Sequence, residues 1–153
     1  MLTIGLFGAT AVSSAMASVF PKHSLLMAQT TSLSGSWRLA NMTESAAPTP
    51  MVPSTDTELT ADFADGRITG SGGCNRFMGG YETQGEQLSI GPLASTFMAC
   101  EEAVMNQETR YLSALQGAQR YEIDDQGQLT IVYQTEQESG VLRFVPQSVQ
   151  ALW

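Results

Sequence analysis

The sequence contains a series of short runs in which apolar and polar residues alternate, and this series restricts the possible folds most. Such runs indicate half-buried β-strands, because successive side chains of a strand point to opposite faces of a sheet. They occur at 36–40, 58–63, 67–70, 78–82, 87–90, 121–123, 129–133 and 141–145. About eight short strands at this spacing are typical of a sandwich or a barrel, so the chain is predicted to be mainly β.

Turn residues between these runs predict three hairpins. Asp65 and Gly66 separate the second and third runs, and an Asp-Gly pair between two alternating runs is a strong hairpin signal. Gly85 lies between the fourth and fifth runs, and residues 124–127 lie between the sixth and seventh. The strands are therefore expected to pair antiparallel with their neighbours in the sequence.

The stretch 101–116 has a different period and predicts one α-helix of about four turns. The mostly apolar face of this helix contains residues that recur at three- and four-residue steps: Val104, Glu108, Tyr111, Leu112 and Leu115. Gly117 is expected to end the helix. We expect this helix to cover the open side of the curved sheet.

The first 28 residues resemble an export signal. Residues 1–20 are apolar and uncharged, and Ala15-Met16-Ala17 has the spacing of small residues that signal peptidase prefers. No Lys or Arg precedes the apolar run, which departs from the usual pattern. We expect export to the periplasm or the exterior, a mature domain over 29–153, and no stable membrane anchor after cleavage.

The charge balance argues against nucleic acid as a partner. The sequence contains fifteen acidic and seven basic residues, which gives a formal charge of −8. Proteins that bind nucleic acid cluster Lys and Arg to neutralise phosphates. Here Lys22 is the only lysine, and the arginines are scattered along the chain. An acidic, solvated surface is therefore expected.

The residues that enzymes and metal sites need are mostly missing. The one histidine, His23, falls in the predicted export segment, so the mature chain lacks imidazole for acid–base catalysis or zinc binding. The glycine-rich stretch 70–73 is not followed by the Lys of a phosphate-binding loop. We predict no catalytic residue, no metal site and no cofactor.

Cys74 and Cys100 are the only cysteines. An even number of cysteines in an exported protein favours a disulfide. In the chain-entropy model, closing the loop between them would stabilise the fold by about 3.5 kcal/mol. Two buried free thiols remain the alternative.

Two clusters of residues give the chain a more specific identity. The first is Gly73-Cys74-Asn75-Arg76-Phe77, with Gly79, Gly80 and Tyr81 behind it. The second is 95–100, Ser-Thr-Phe-Met-Ala-Cys, followed in the helix by Met105, Glu108, Leu112 and Leu115. This pattern, from Leu33 to about Val145, resembles the META domain family of the HslJ type.

The resemblance implies a fold and a broad role. Relatives have a mostly-β, lipocalin-like barrel or half-barrel crossed by one helix, without an established enzymatic activity. They are linked to envelope stress, drug tolerance, secretion or motility. Many are lipoproteins, but this chain lacks the lipid-bearing cysteine. The residues that match the family pattern are Gly73, Asn75, Arg76, Thr96, Met98 and Glu108.

The two clusters are expected to meet in space, because each contains one of the cysteines. A bridge would then join Cα atoms within about 7 Å. Asn75 and Thr96 are interpreted as structural, with ligand binding as the alternative. Glu108 lies on the apolar face of the helix, where a buried carboxylate needs hydrogen bonds. We expect it to pair with Arg76, a backbone amide or a tyrosine.

Three functional hypotheses follow. The leading one is a monomeric, non-catalytic envelope protein that binds a protein or envelope component and supports stress or drug tolerance. The second is a carrier that holds a small apolar ligand inside the barrel. The third is a redox protein that uses the two thiols, which would need a thiol of low pKa beside a cation such as Arg76.

Overall fold

The structure, a computed structural model, describes residue 8 and residues 32–54 and 56–147. The predicted export segment, 1–28, lies outside the described residues except for Gly8. The described elements are β1 (Gly35–Glu44), β2 (Thr60–Ala64), β3 (Arg67–Ser71), β4 (Arg76–Gln84), β5 (Gln87–Ile90), β6 (Ala94–Ser95), α1 (Glu102–Gln116), β7 (Ala118–Ile123), β8 (Leu129–Gln134) and β9 (Ser139–Pro146).

Eight of these strands form a closed antiparallel barrel. Neighbours follow the order β3-β2-β1-β9-β8-β7-β5-β4, and a further pairing of β3 with β4 closes the series. The short strand β6 pairs with β4, with Phe77 opposite Ser95 and Met78 opposite Ala94. The predicted mainly β, lipocalin-like barrel with one covering helix is confirmed, and it is closed rather than half-open.

The predicted hairpins form at residues that can adopt their turn geometry. Asp65 (φ 51°) and Gly66 (φ 79°) both have the left-handed conformation that a two-residue hairpin between β2 and β3 needs. Gly85 between β4 and β5 also has positive φ, at 61°. These turns bring strands that are adjacent in sequence into antiparallel pairs, so the turn residues determine much of the strand register in the barrel.

Large apolar side chains fill the interior of the barrel. Alternate residues of each strand point inward; in β8 these are Leu129, Ile131 and Tyr133. Large side chains that are no more than 2% exposed come from strands all around the barrel: Leu39, Met42, Phe63, Ile68, Phe77, Leu88, Leu129, Ile131 and Phe144. A small eight-stranded barrel can be filled in this way by its own side chains.

Helix α1 packs against this interior through one face. Glu108, Tyr111, Ala114 and Leu115 are buried. The Tyr111 ring lies 5.9 Å from that of Phe77, and its hydroxyl donates a hydrogen bond to the Thr60 carbonyl at 2.8 Å. The sequence pattern identified this face but missed Ala114. It also included Val104 and Leu112, which are only partly buried.

The helix ends before Gly117, as predicted, and the structure shows why a glycine lies there. Its φ is −90°, so it is not a left-handed cap. A Cβ atom at this position would lie 2.7 Å from the Gln134 carbonyl oxygen at the end of β8. The glycine is therefore needed for a close approach between the helix end and the barrel wall. Within the described residues, no helix has the length and apolar character required to cross a membrane.

Candidate functional site

Glu108 lies at the centre of a buried polar cluster that joins the helix to the barrel. Its side chain is 5% exposed. Oε2 accepts hydrogen bonds from the backbone amides of Cys74 (3.0 Å) and Asn75 (2.6 Å), and Oε1 accepts one from Asn75 Nδ2 (2.8 Å). The partners are thus two backbone amides and an amide side chain, and not Arg76 or a tyrosine. Such bonds offset the cost of burying a carboxylate.

Asn75 connects Glu108 to the segment that precedes the helix. The residue is 3% exposed. Its Oδ1 accepts hydrogen bonds from Thr96 Oγ1 (2.9 Å) and from the Met98 amide (2.6 Å), while Nδ2 also donates to the Met98 carbonyl (3.3 Å). Two acceptor and two donor positions are all that an asparagine amide has. The hydrogen-bonding capacity of the Asn75 side chain is therefore fully used within the protein.

Thr96 completes the connection at the start of β4. Its Oγ1 accepts a hydrogen bond from the Arg76 amide at 3.2 Å, and its own amide donates to the Arg76 carbonyl at 3.0 Å. We call Cys74, Asn75, Thr96, Met98 and Glu108 the Glu108 network. Five of the six residues that matched the family pattern take part in these bonds, including the backbone of Arg76.

A disulfide between Cys74 and Cys100 fastens the same two segments. The Cα atoms are 6.0 Å apart, within the limit of about 7 Å expected for a bridge. The prediction of a disulfide is confirmed, and the alternative of two free thiols is wrong. Residues 72–75, which we call the glycine-rich bend, connect β3 to β4. The bridge therefore holds this bend against the segment that leads into α1.

Two glycines let the bend approach the helix. At Gly72 a Cβ atom would lie 2.6 Å from Glu108 Cγ and Oε2. Gly73 has φ +107°, where a side chain would be strained, and its Cβ would lie 3.3 Å from Leu59. Gly73 was identified from the family pattern. Gly72 lies in the glycine-rich stretch 70–73, and its role could not be predicted, since nothing local in the sequence shows that a helix carboxylate lies against it.

The network holds a chain segment in place and offers no reactive group to a ligand. The buried amide and carboxylate are hydrogen-bonded within the protein, and the sulfurs are bonded to each other. The side chains of Phe97 and Met98, in contrast, make none of these hydrogen bonds, and the two residues are 98% and 58% exposed. The sequence could not show this exposure, because apolar residues are normally expected in the core.

A second polar cluster surrounds Arg110 and was not predicted. Arg110 Nη2 lies 2.6 Å from Glu44 Oε1. These residues line a surface cleft of about 260 Å³ together with Tyr133 and Glu138. Desolvation is the largest cause that raises the pKa of Glu138, and hydrogen bonding with Glu44 and the negative charge of Glu44 raise it further. Burial, with the charges of Glu44 and Glu138, raises the pKa of Tyr133 to about 12.

Within residues 32–54 and 56–147, no three His, Cys, Asp or Glu side chains lie close enough together to hold a metal ion.

The chain is similar to proteins of one family and to two solved structures. The META domain family matches residues 30–148. A protein from Burkholderia xenovorans, determined by NMR, has 26% identity, covers 93% of this chain and 99% of its own, and superposes with a TM-score of 0.63. A DUF4847 family protein from Bacteroides vulgatus has 17% identity, coverages of 75% and 95%, and a TM-score of 0.48. No curated protein matches the chain significantly.

Proposed function

Since this chain belongs to the META domain family, we propose that it is a non-catalytic, exported envelope protein that supports stress or drug tolerance by binding. Its partner would be a protein or another envelope component. One observation carries the binding part of the proposal. An almost fully exposed phenylalanine, Phe97, stands on a segment that the Glu108 network and the disulfide hold in place.

Three exposed apolar side chains form what we call the Phe97 surface: Met78, Phe97 and Met98, which are 51%, 98% and 58% exposed. Met78 points outward from β4, because its neighbour Phe77 points into the core. Phe97 and Met98 directly follow Thr96, which is bonded to the start of the same strand. The three residues thus lie on two adjoining segments, and contiguous exposed apolar side chains mark interaction sites on soluble proteins.

The segment that carries this surface is ordered before any partner arrives. The amide and the carbonyl of Met98 are both bonded to the Asn75 side chain, and the disulfide anchors Cys100 two residues later. A preordered segment loses less conformational entropy on binding than a flexible one, so more of the contact energy contributes to affinity. This gives the buried network a role in binding without a direct contact.

The two other hypotheses have less support. A carrier would need an apolar cavity of about 300 Å³ or more, whereas the barrel interior is filled by its own side chains. A thiol-based redox protein would break and re-form this disulfide in each cycle, whereas here the bond fastens the stretch before β4 to the segment that leads into α1, so its reduction would loosen the fold.

Site-specific cross-linking tests the binding role. A photo-reactive amino acid placed at position 97 should capture an envelope component, because this side chain would be covered by the partner. The matched control is position 52, since Val52 is also apolar and 69% exposed but belongs to a different segment. Equal capture from both positions, or none from position 97, would contradict the proposal.

Amino-terminal sequencing of protein from the periplasmic or secreted fraction tests export. We expect a new amino terminus between Ala17 and Gln29, because the small residues that precede cleavage lie there. The disulfide supports this compartment, since such bonds persist under oxidising conditions. Protein that keeps Met1 and stays in the cytoplasm would refute the export proposal.

A further inference from the structure

The electrostatic surroundings of the Phe97 surface favour one kind of partner. All fifteen acidic residues lie in the described part of the chain. Six of the seven basic residues lie there too, because Lys22 does not, and the formal charge of this part is −9. A protein with such an excess attracts cations over distances of about 10 Å at moderate salt.

Among the charged residues nearest in sequence to the surface, acidic ones also outnumber basic ones. Glu101 and Glu102 follow Met98 by three and four residues, and both are exposed. Arg76, also exposed, is the only cation in 74–78 and 94–102, the segments that carry the surface. The segments that carry the apolar side chains therefore contain two exposed carboxylates and one exposed guanidinium, a net charge of −1.

Building on the proposed binding function, we infer that the Phe97 surface binds a polypeptide that is apolar at its centre and cationic at its rim. The exposed phenylalanine provides an apolar anchor that a partner can desolvate. The two methionines can adjust their shape to different apolar partners. Glu101 and Glu102 then favour Lys and Arg on the partner and disfavour Asp and Glu.

A lipid surface fits the same observations less well. The headgroups of anionic lipids would be repelled by a protein with a charge of −9 in its described part. Stable attachment to a bilayer also needs a larger apolar area or a basic patch, whereas this surface has three apolar side chains, and the segments that carry them contain one arginine and two glutamates. Lipid binding therefore serves as an opposing outcome of the test.

The test uses two synthetic amphipathic peptides with the same apolar residues, one carrying lysines and the other glutamates at the polar positions. Titration of the mature protein should give at least about tenfold tighter binding of the lysine peptide, equivalent to about 1.4 kcal/mol. Phe97→Ser should weaken that binding about tenfold, since burial of a phenylalanine is lost. Val52→Ser should change it less than about twofold.

A second variant tests the charge contribution. Glu101→Gln combined with Glu102→Gln should reduce the preference for the lysine peptide, and raising the salt from about 0.1 M to about 1 M should do the same. Since the protein as a whole is acidic, lysine peptides could also bind without specificity. An unchanged affinity in Phe97→Ser would show this and overturn the inference.

Two further outcomes would also overturn it: equal affinity for both peptides, or Phe97-dependent binding to phosphatidylcholine vesicles in place of peptide. Failure here is distinguishable from failure of the proposed function. If position 97 cross-links an envelope component but the lysine peptide is not preferred, the binding function stands and the charge inference is wrong. If neither occurs, both are wrong.

Discussion

Replacing Glu108 with leucine should lower the free energy of unfolding by about 3 kcal/mol or more. The substitution removes the acceptor of three buried donors: the amides of Cys74 and Asn75, and Asn75 Nδ2. Each buried donor left without a partner costs about 1–3 kcal/mol, and partial relaxation of the bend would return some of this. Three such losses at the middle of that range come to about 6 kcal/mol, and the apolar burial gained by leucine, about 1.5–3 kcal/mol, offsets at most half of this.

Urea unfolding of a matched pair of variants checks this expectation. Glu102→Leu changes the same residue type in the same helix, but the side chain is an exposed carboxylate in the first turn. Its loss should cost between a few tenths and about 1 kcal/mol, the usual value of a charge near a helix dipole. Equal shifts of the two unfolding midpoints would show that the Glu108 carboxylate does not hold the bend.

A glutamine at position 108 separates the role of the charge from that of the shape. It keeps one oxygen acceptor but directs an NH₂ group at a donor, so at least one of the three hydrogen bonds is lost. Its unfolding free energy should therefore lie between those of the wild type and Glu108→Leu. A glutamine variant as stable as the wild type would mean that the negative charge contributes little.

The barrel could be predicted from the sequence because its strands and turns are specified locally. The alternation in 129–133 and the Asp65-Gly66 pair determine which side chains face inward and where the chain reverses. Strand β6 was missed, since Ala94 and Ser95 are too few to show a period. It forms only because β4 presents unpaired backbone groups beside it.

The site was predicted only in part, for a related reason. Glu108 stood out as a carboxylate on an apolar helix face, and this signal is local. The same periodicity could not identify its partners, because Cys74 and Asn75 are more than thirty residues away in sequence. Phe97 was read only as part of a family pattern, and its exposure depends on how the segment pairs with β4.

Removing the disulfide should have an effect of similar size to the Glu108 change. Cys74→Ala combined with Cys100→Ala opens a loop of 26 residues, and the chain-entropy model assigns about 3.5 kcal/mol to its closure. Reduction of the wild type should shift the urea midpoint in the same direction. The same reductant should leave the midpoint of the double variant unchanged. Two free thiols in wild-type protein recovered from the oxidising compartment would contradict the expectation.

The disulfide and Glu108 fasten the same bend to the same segment, so their contributions should not add. Once the disulfide is absent, the bend around Cys74 can move, and the bonds from its amides to Glu108 are partly lost already. A protein that carries Glu108→Leu and both cysteine changes should therefore lose less than the sum of the separate losses. The difference should be about 0.5–3 kcal/mol, the range found for residues that share a network. Additive losses would mean that the two connections act on independent parts of the fold.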